Sequence, residues 1–154
     1  YPGVGRILKL LQNYGAGNYE RIRKGYRLTL GIAGSIGLGA GILFFVLNHE
    51  IFGLFVNEPE AIEAGGNYLK ILALSQLFMV TESVTAGAFN GTGHTTPPAL
   101  TGIIFTGARI PMAYFLTSFP QLGLTGIWWS ITISSILKGS VLPLWFLHFQ
   151  RKLK

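Results

Sequence analysis

Four apolar stretches of about twenty residues alternate with short polar connections along the chain: Arg27 to Asn48, Asn67 to Phe89, Pro98 to Phe119 and Leu124 to Phe149. A helix rises about 1.5 Å per residue, so roughly 20 residues cross the ~30 Å hydrocarbon core of a bilayer. A water-soluble chain of 154 residues has no use for four such runs. The pattern therefore predicts an all-α integral membrane protein with spans at about 27–48, 58–89, 98–119 and 124–149.

The second element is predicted to start ahead of its apolar run. Asn57-Glu58-Pro59-Glu60 is a helix-start signal: Asn57 can accept from the first unpaired amides, proline is tolerated in the first turn, and Glu58 and Glu60 complement the positive helix end. A helix from 58 to 89 is longer than a bilayer needs. Between the first two spans, His49 to Phe55 reads as a short amphipathic piece at the membrane surface, with Ile51, Phe52, Leu54 and Phe55 toward lipid.

Charge then sets an orientation. Arg6, Lys9, Arg21, Arg23, Lys24 and Arg27 precede the first span and Arg151, Lys152 and Lys154 follow the last, while the 49–66 loop carries Glu50, Glu58, Glu60 and Glu63 without Lys or Arg. The positive-inside rule places both ends in the cytoplasm of a multi-pass cell-membrane protein, with the acidic loop outside. The net charge of +6 is accounted for by these flanks, and a nucleic-acid role is not expected. The chain opens on Tyr1 without a signal segment, and residues 1–25 read as the cytoplasmic end of a preceding helix plus a loop, ahead of a four-span bundle at 26–154. A piece of a longer polypeptide is the expectation.

Glycine supplies 21 residues, about double its usual share, and much of it lies in the first span. Gly37 and Gly41 form a Gly-x-x-x-Gly pair extended backward by Ala33; Gly31, Ser35 and Gly39 form a second small ridge, and Ser83, Gly87 and Gly91 repeat the spacing on the second span. In lipid, faces that let backbones approach closely drive helix association, so Gly37, Gly41, Ser83 and Gly87 are predicted packing positions. Pro111 and Pro143 fall inside the third and fourth spans, where each removes a backbone donor.

Three ionisable side chains fall within apolar runs, where charge is costly unless partnered or hydrated. Glu82 lies near the middle of the second span, Arg109 of the third and Lys138 of the fourth, at depths differing by roughly one helical turn. Glu82 is the candidate ion- or substrate-coupling carboxylate, with Arg109 and Lys138 as candidate electrostatic partners. A fixed pair that sets helix order and a hydrated site exchanging a proton, a sodium ion or an organic cation both fit this spacing.

Other chemistry is poorly supplied. Cysteine is absent, the three histidines share no helical spacing, and no nucleophile motif appears, so neither an enzyme, a metal site nor a resident cofactor is expected. Asn90-Gly91-Thr92 matches a glycosylation acceptor but falls on the cytoplasmic side of the predicted topology. Trp128, Trp129 and Trp145 suit interfacial or packing positions.

Several strings together resemble the C-terminal portion of the multidrug and toxic compound extrusion (MATE) transporters. Gln12 to Arg21 resembles that family's cytoplasmic loop, Leu54 to Glu60 the segment opening its tenth helix, and Gly87 to Thr95 with Pro97 the turn after it. Arg109-Ile110-Pro111 and Gly123 to Trp128 resemble its eleventh helix and the start of its twelfth. The resemblance covers roughly residues 12 to 150. It implies four helices, the ninth to twelfth, of one six-helix lobe in a twelve-helix secondary transporter that expels organic cations or drugs by antiport with Na+ or H+. Membrane lipid, a small cationic substrate and a missing N-terminal lobe are the implied partners, and the isolated piece is expected to be inactive. A lipid-linked precursor flippase of similar architecture, and a small accessory membrane protein oligomerising through its glycine ridges, are the alternatives.

Overall fold

A computed structural model describes residues 15–152. Arg6, Lys9, Lys154 and the Gln12–Tyr14 start of the loop string lie outside the described residues. The order is α1 (Tyr19–Val46), α2 (Asn48–Gly53), α3 (Pro59–Ala73), α4 (Gln76–Gly91), α5 (Thr96–Gly107), α6 (Arg109–Thr117) and α7 (Thr125–Lys152), with no strand among the described residues. Helix α1, α5 with α6, and α7 are each long and apolar enough to cross a membrane, and α3 with α4 makes a fourth span if its two halves are taken as one. The protein is an all-α, multi-pass membrane protein.

The first span begins earlier than its apolar run. Helix α1 starts at Tyr19 rather than near Arg27, because nothing in Glu20 to Lys24 breaks a helix and an i,i+4 pair of Glu20 with Lys24 supports its first turns. Hydrophobicity marks the part in lipid; hydrogen bonding marks the helix.

The second span is not one continuous helix. Helices α3 and α4 meet at Leu74-Ser75 with a bend of 53°. The Ser75 amide bonds to the Leu72 carbonyl three residues back, and its hydroxyl donates to the same oxygen at 2.9 Å, so the i→i−4 ladder slips there. The carbonyl of Ile71 is covered by the Thr132 hydroxyl of α7 at 3.2 Å, which supplies the partner that lipid cannot. Pro59 occupies the first turn of this helix, but Glu58, not the expected Asn57, is at the N-cap, and no side chain caps it.

The third span is divided at Ala108 for a different reason. Pro111 has no N–H, so the Gly107 carbonyl loses its i+4 donor and α5 ends there. Pro143 leaves the Gly139 carbonyl similarly without a helical donor, yet α7 continues to Lys152 with neighbours on several sides.

Helix α7 is the centre of the bundle, touching α3, α4, α5 and α6, while α1 lies against α3 and α4. Its buried residues are mostly small: Gly126, Ser130, Thr132, Ser134, Ser135 and Gly139. At the end where α1 begins and α7 finishes, Tyr26, Phe89, Leu142 and Phe146 form the apolar core, with Phe146 4.6 Å from Tyr26 and 4.8 Å from Phe89, ring centre to ring centre. Thr85 donates to Thr81, so the Tyr26 hydroxyl, 2.9 Å from Thr85 Oγ1, is the donor of that buried bond.

Helix α4 is closed at the same end by a Schellman motif. Gly93 adopts φ +78°, its amide bonds to the Asn90 carbonyl, and the His94 amide reaches back to Phe89. This accounts for the Asn90–His94 string as backbone geometry.

The 49–55 segment only partly follows its prediction. Leu54 and Phe55 are exposed, but Phe52 lies over Gly65 of α3 and His49 over Gly66, because glycines there leave room for a ring.

Candidate functional site

The site is built where α7 comes closest to α4. Gly139 carries no side chain, and a Cβ there would lie 2.7 Å from the Phe78 carbonyl carbon, so the two backbones touch. Glu82 follows Phe78 by one turn on the same face of α4, and Lys138 immediately precedes Gly139. The glycine contact thus brings carboxylate and ammonium together: Lys138 Nζ lies 2.7 Å from Glu82 Oε1, with the side chains 16% and 21% exposed respectively. Of the two predicted partners of Glu82, the structure places Lys138 beside it.

Arg109 is directed elsewhere. Its Nε donates to Ser134 Oγ at 2.6 Å and its Nη2 to Ser135 Oγ at 3.1 Å, both on α7 one turn before Lys138. Among the described residues no carboxylate pairs with this guanidinium. Hydroxyls solvate the charge without neutralising it, so these residues bring together one carboxylate and two cations, Lys138 on α7 and Arg109 held against α7 from α6. The Arg109 fork needs two acceptors side by side, and adjacent serines on α7 provide them.

The small-residue ridges divide in the same way. A Cβ on Gly37 would stand 2.9 Å from Val80 Cγ2, and one on Gly41 would stand 3.1 Å from the Ala73 carbonyl oxygen, so this pair lies against α4 and the α3–α4 break. Beside it an apolar groove of about 320 Å³ runs between Gly37, Gly41 and Phe45 of α1 and Ala73, Leu77 and Phe78. Ser83 is exposed and Gly87 has nothing within 4 Å of a would-be Cβ; Gly31, Ser35 and Gly39 also face outward. Ser83, Gly87 and the Gly31, Ser35 and Gly39 ridge are therefore not packing seams within the described residues, whereas Gly91, at the end of the ridge on α4, is buried.

The sequence reading missed the closest contacts of glycine with a neighbouring backbone, Gly126 against Leu116–Thr117 and Gly139 against Phe78, as well as Ser134 and Ser135. A signal was there: Gly126, Ser130 and Ser134 recur every fourth residue on α7, as do Ser135 and Gly139.

Comparisons with known proteins agree with this architecture. The MatE family model matches residues 11–115, more than half of the chain. A probable multidrug resistance protein NorM of Thermotoga maritima is 33% identical over 147 residues, covering 92% of this chain and 31% of the relative. A probable NorM of Pseudomonas syringae pv. tomato is 30% identical over 82% of this chain and 29% of its own length, and a probable multidrug resistance protein YoeA of Bacillus subtilis is 24% identical over 82% and 27%. The chain spans about a third of the length of the curated relatives it matches, 31% of the first and 29% of the second. The helical, multi-pass architecture and the extent of these matches lead to one conclusion: this chain belongs to the MatE family of multidrug and toxic compound extrusion transporters.

Proposed function

We propose that this chain forms four helices of one lobe of a secondary transporter that expels organic cations or drugs in exchange for Na+ or H+. The observation that carries the reading is Glu82, a carboxylate 21% exposed in the middle of a bundle of lipid-spanning helices. Burying it there is costly, and a residue used only to lock α4 to α7 has cheaper apolar substitutes. In an exchanger the cost is offset by function: the carboxylate attracts a cation, and the flexible ammonium beside it can yield. The names of the relatives, which refer to multidrug resistance, support the choice of cargo.

The reading has the 1–154 chain inactive alone, with a second lobe completing the transport path and both ends of the chain in the cytoplasm. The test is Glu82→Gln in the protein carrying this chain at its full natural length. Efflux of a cationic dye should fall by at least about tenfold, more than 1.4 kcal/mol of lost driving interaction, with expression unchanged. Unaltered efflux and ion coupling would refute the role of Glu82, and transport by reconstituted residues 1–154 would refute the need for a second lobe. Movement of a lipid-linked precursor in place of dye would favour a flippase.

A further inference from the structure

We propose that Lys138 is a tethered competitor for the site on Glu82: its ammonium occupies the carboxylate until a transported cation displaces it. This rests on the reading of Glu82 as the cation-binding group and adds a second residue that sets the affinity of that group.

The argument starts from reach. Lys138 Nζ contacts Glu82 Oε1 at 2.7 Å, so a second cation approaching that oxygen competes with the ammonium for its charge. An ammonium on a four-carbon stem is a mobile point charge, in contrast to the planar fork of Arg109, held at two serine hydroxyls. Lys138 can therefore withdraw, whereas Arg109 is fixed.

The backbone around Lys138 favours this. Pro143 leaves the Gly139 carbonyl without its helical donor, so the turn of α7 that follows Lys138 lacks one of its internal hydrogen bonds. The surroundings also set the sign of the effect. With Glu82 paired to Lys138, that pair is neutral. When a monovalent cation takes the carboxylate, the displaced ammonium remains, and the site gains one positive charge about one turn of α7 from the serines that hold the guanidinium of Arg109. Binding is thereby weakened, which suits a site that must release its cation on every cycle.

Competition has a simple form: if the carboxylate is free of Lys138 for a tenth of the time, apparent affinity is about tenfold below the intrinsic value. Removing the competitor should tighten binding, which a merely structural loss does not do. The experiment uses the full-length purified protein with radioactive Na+ and with tetraphenylphosphonium as separate probes. Binding that disappears in Glu82→Gln identifies the ligand of the carboxylate. For that probe Lys138→Gln should bind about tenfold more tightly, and Lys138→Arg, whose forked cation grips a carboxylate more firmly, should bind more weakly than wild type. Should Lys138→Gln not fold, the weakening in Lys138→Arg carries the test alone. Unchanged or weaker binding in folded Lys138→Gln, or unchanged binding in Lys138→Arg, overturns the competitor role while leaving Glu82 as the cation site. If neither probe shows Glu82-dependent binding, the reading of Glu82 itself fails and this inference with it.

Discussion

Gly139 of α7 rests on the backbone of Phe78 in α4 so closely that no side chain fits between them. This contact sets the distance between the two helices, and Lys138 and Glu82 meet because of it. Gly139→Ala would push α7 away from α4, since the obstructing atoms are backbone and cannot rotate aside. Overpacking of this kind costs about 1–3 kcal/mol. The expected outcome is a lower melting temperature in detergent together with a loosened Lys138–Glu82 pair, and so tighter Glu82-dependent cation binding in the folded protein. A Gly139→Ala protein with wild-type stability would show that the helices are not in contact there.

Two glycines predicted alike from spacing should respond in opposite ways. At Gly37 a methyl group meets Val80, a β-branched side chain with little freedom to move, so Gly37→Ala should destabilise by about 1 kcal/mol or more. At Gly87 a methyl meets open space within the described residues, and Gly87→Ala should be neutral or stabilise by about 0.5–1 kcal/mol through helix propensity. Thermal melts of the two variants in parallel check the contrast. A large loss at Gly87 would mean that its face is covered by a part of the protein outside the described residues.

Arg109 depends on two neighbouring hydroxyls, and hydrogen bonds to a charged group contribute about 1.5–3 kcal/mol. Ser134→Ala should therefore lower stability by roughly that amount, and Ser134→Ala with Ser135→Ala together by more than either alone. Arg109→Lys should not restore the pattern, because an ammonium lacks the fork that spans both oxygens. If the serine variants melt with the wild type, the guanidinium has found another partner.

The absence of cysteine from these 154 residues allows the orientation to be read directly. Gln121 and Asn90 are both exposed, in the turn between α6 and α7 and at the end of α4. Singly introduced in a background whose other cysteines are replaced, Gln121→Cys should react with an impermeant maleimide added outside intact cells, and Asn90→Cys only after permeabilisation. The reverse labelling would invert the proposed topology.

Much of this was legible in one dimension. Long apolar runs identify lipid-crossing helices because hydration and lipid make opposite demands on a side chain, and that demand is local. The Pro59 helix start follows from backbone chemistry within a turn of the residue, and Gly93 supplies the left-handed geometry that closes α4. The break at Leu74-Ser75 was harder to foresee, since serine bends a helix only where its hydroxyl takes a carbonyl and a neighbour such as Thr132 covers what is freed.

Partner choice lay beyond spacing altogether. Depth put Glu82, Arg109 and Lys138 within a turn of one another, but which cation meets the carboxylate depends on rotation about the helix axes and on how closely α7 approaches α4. Those quantities are set by contacts between residues far apart in the chain, Gly139 with Phe78 and Arg109 with Ser134 and Ser135. Local preference writes the helices; the assembled bundle chooses which of their faces meet.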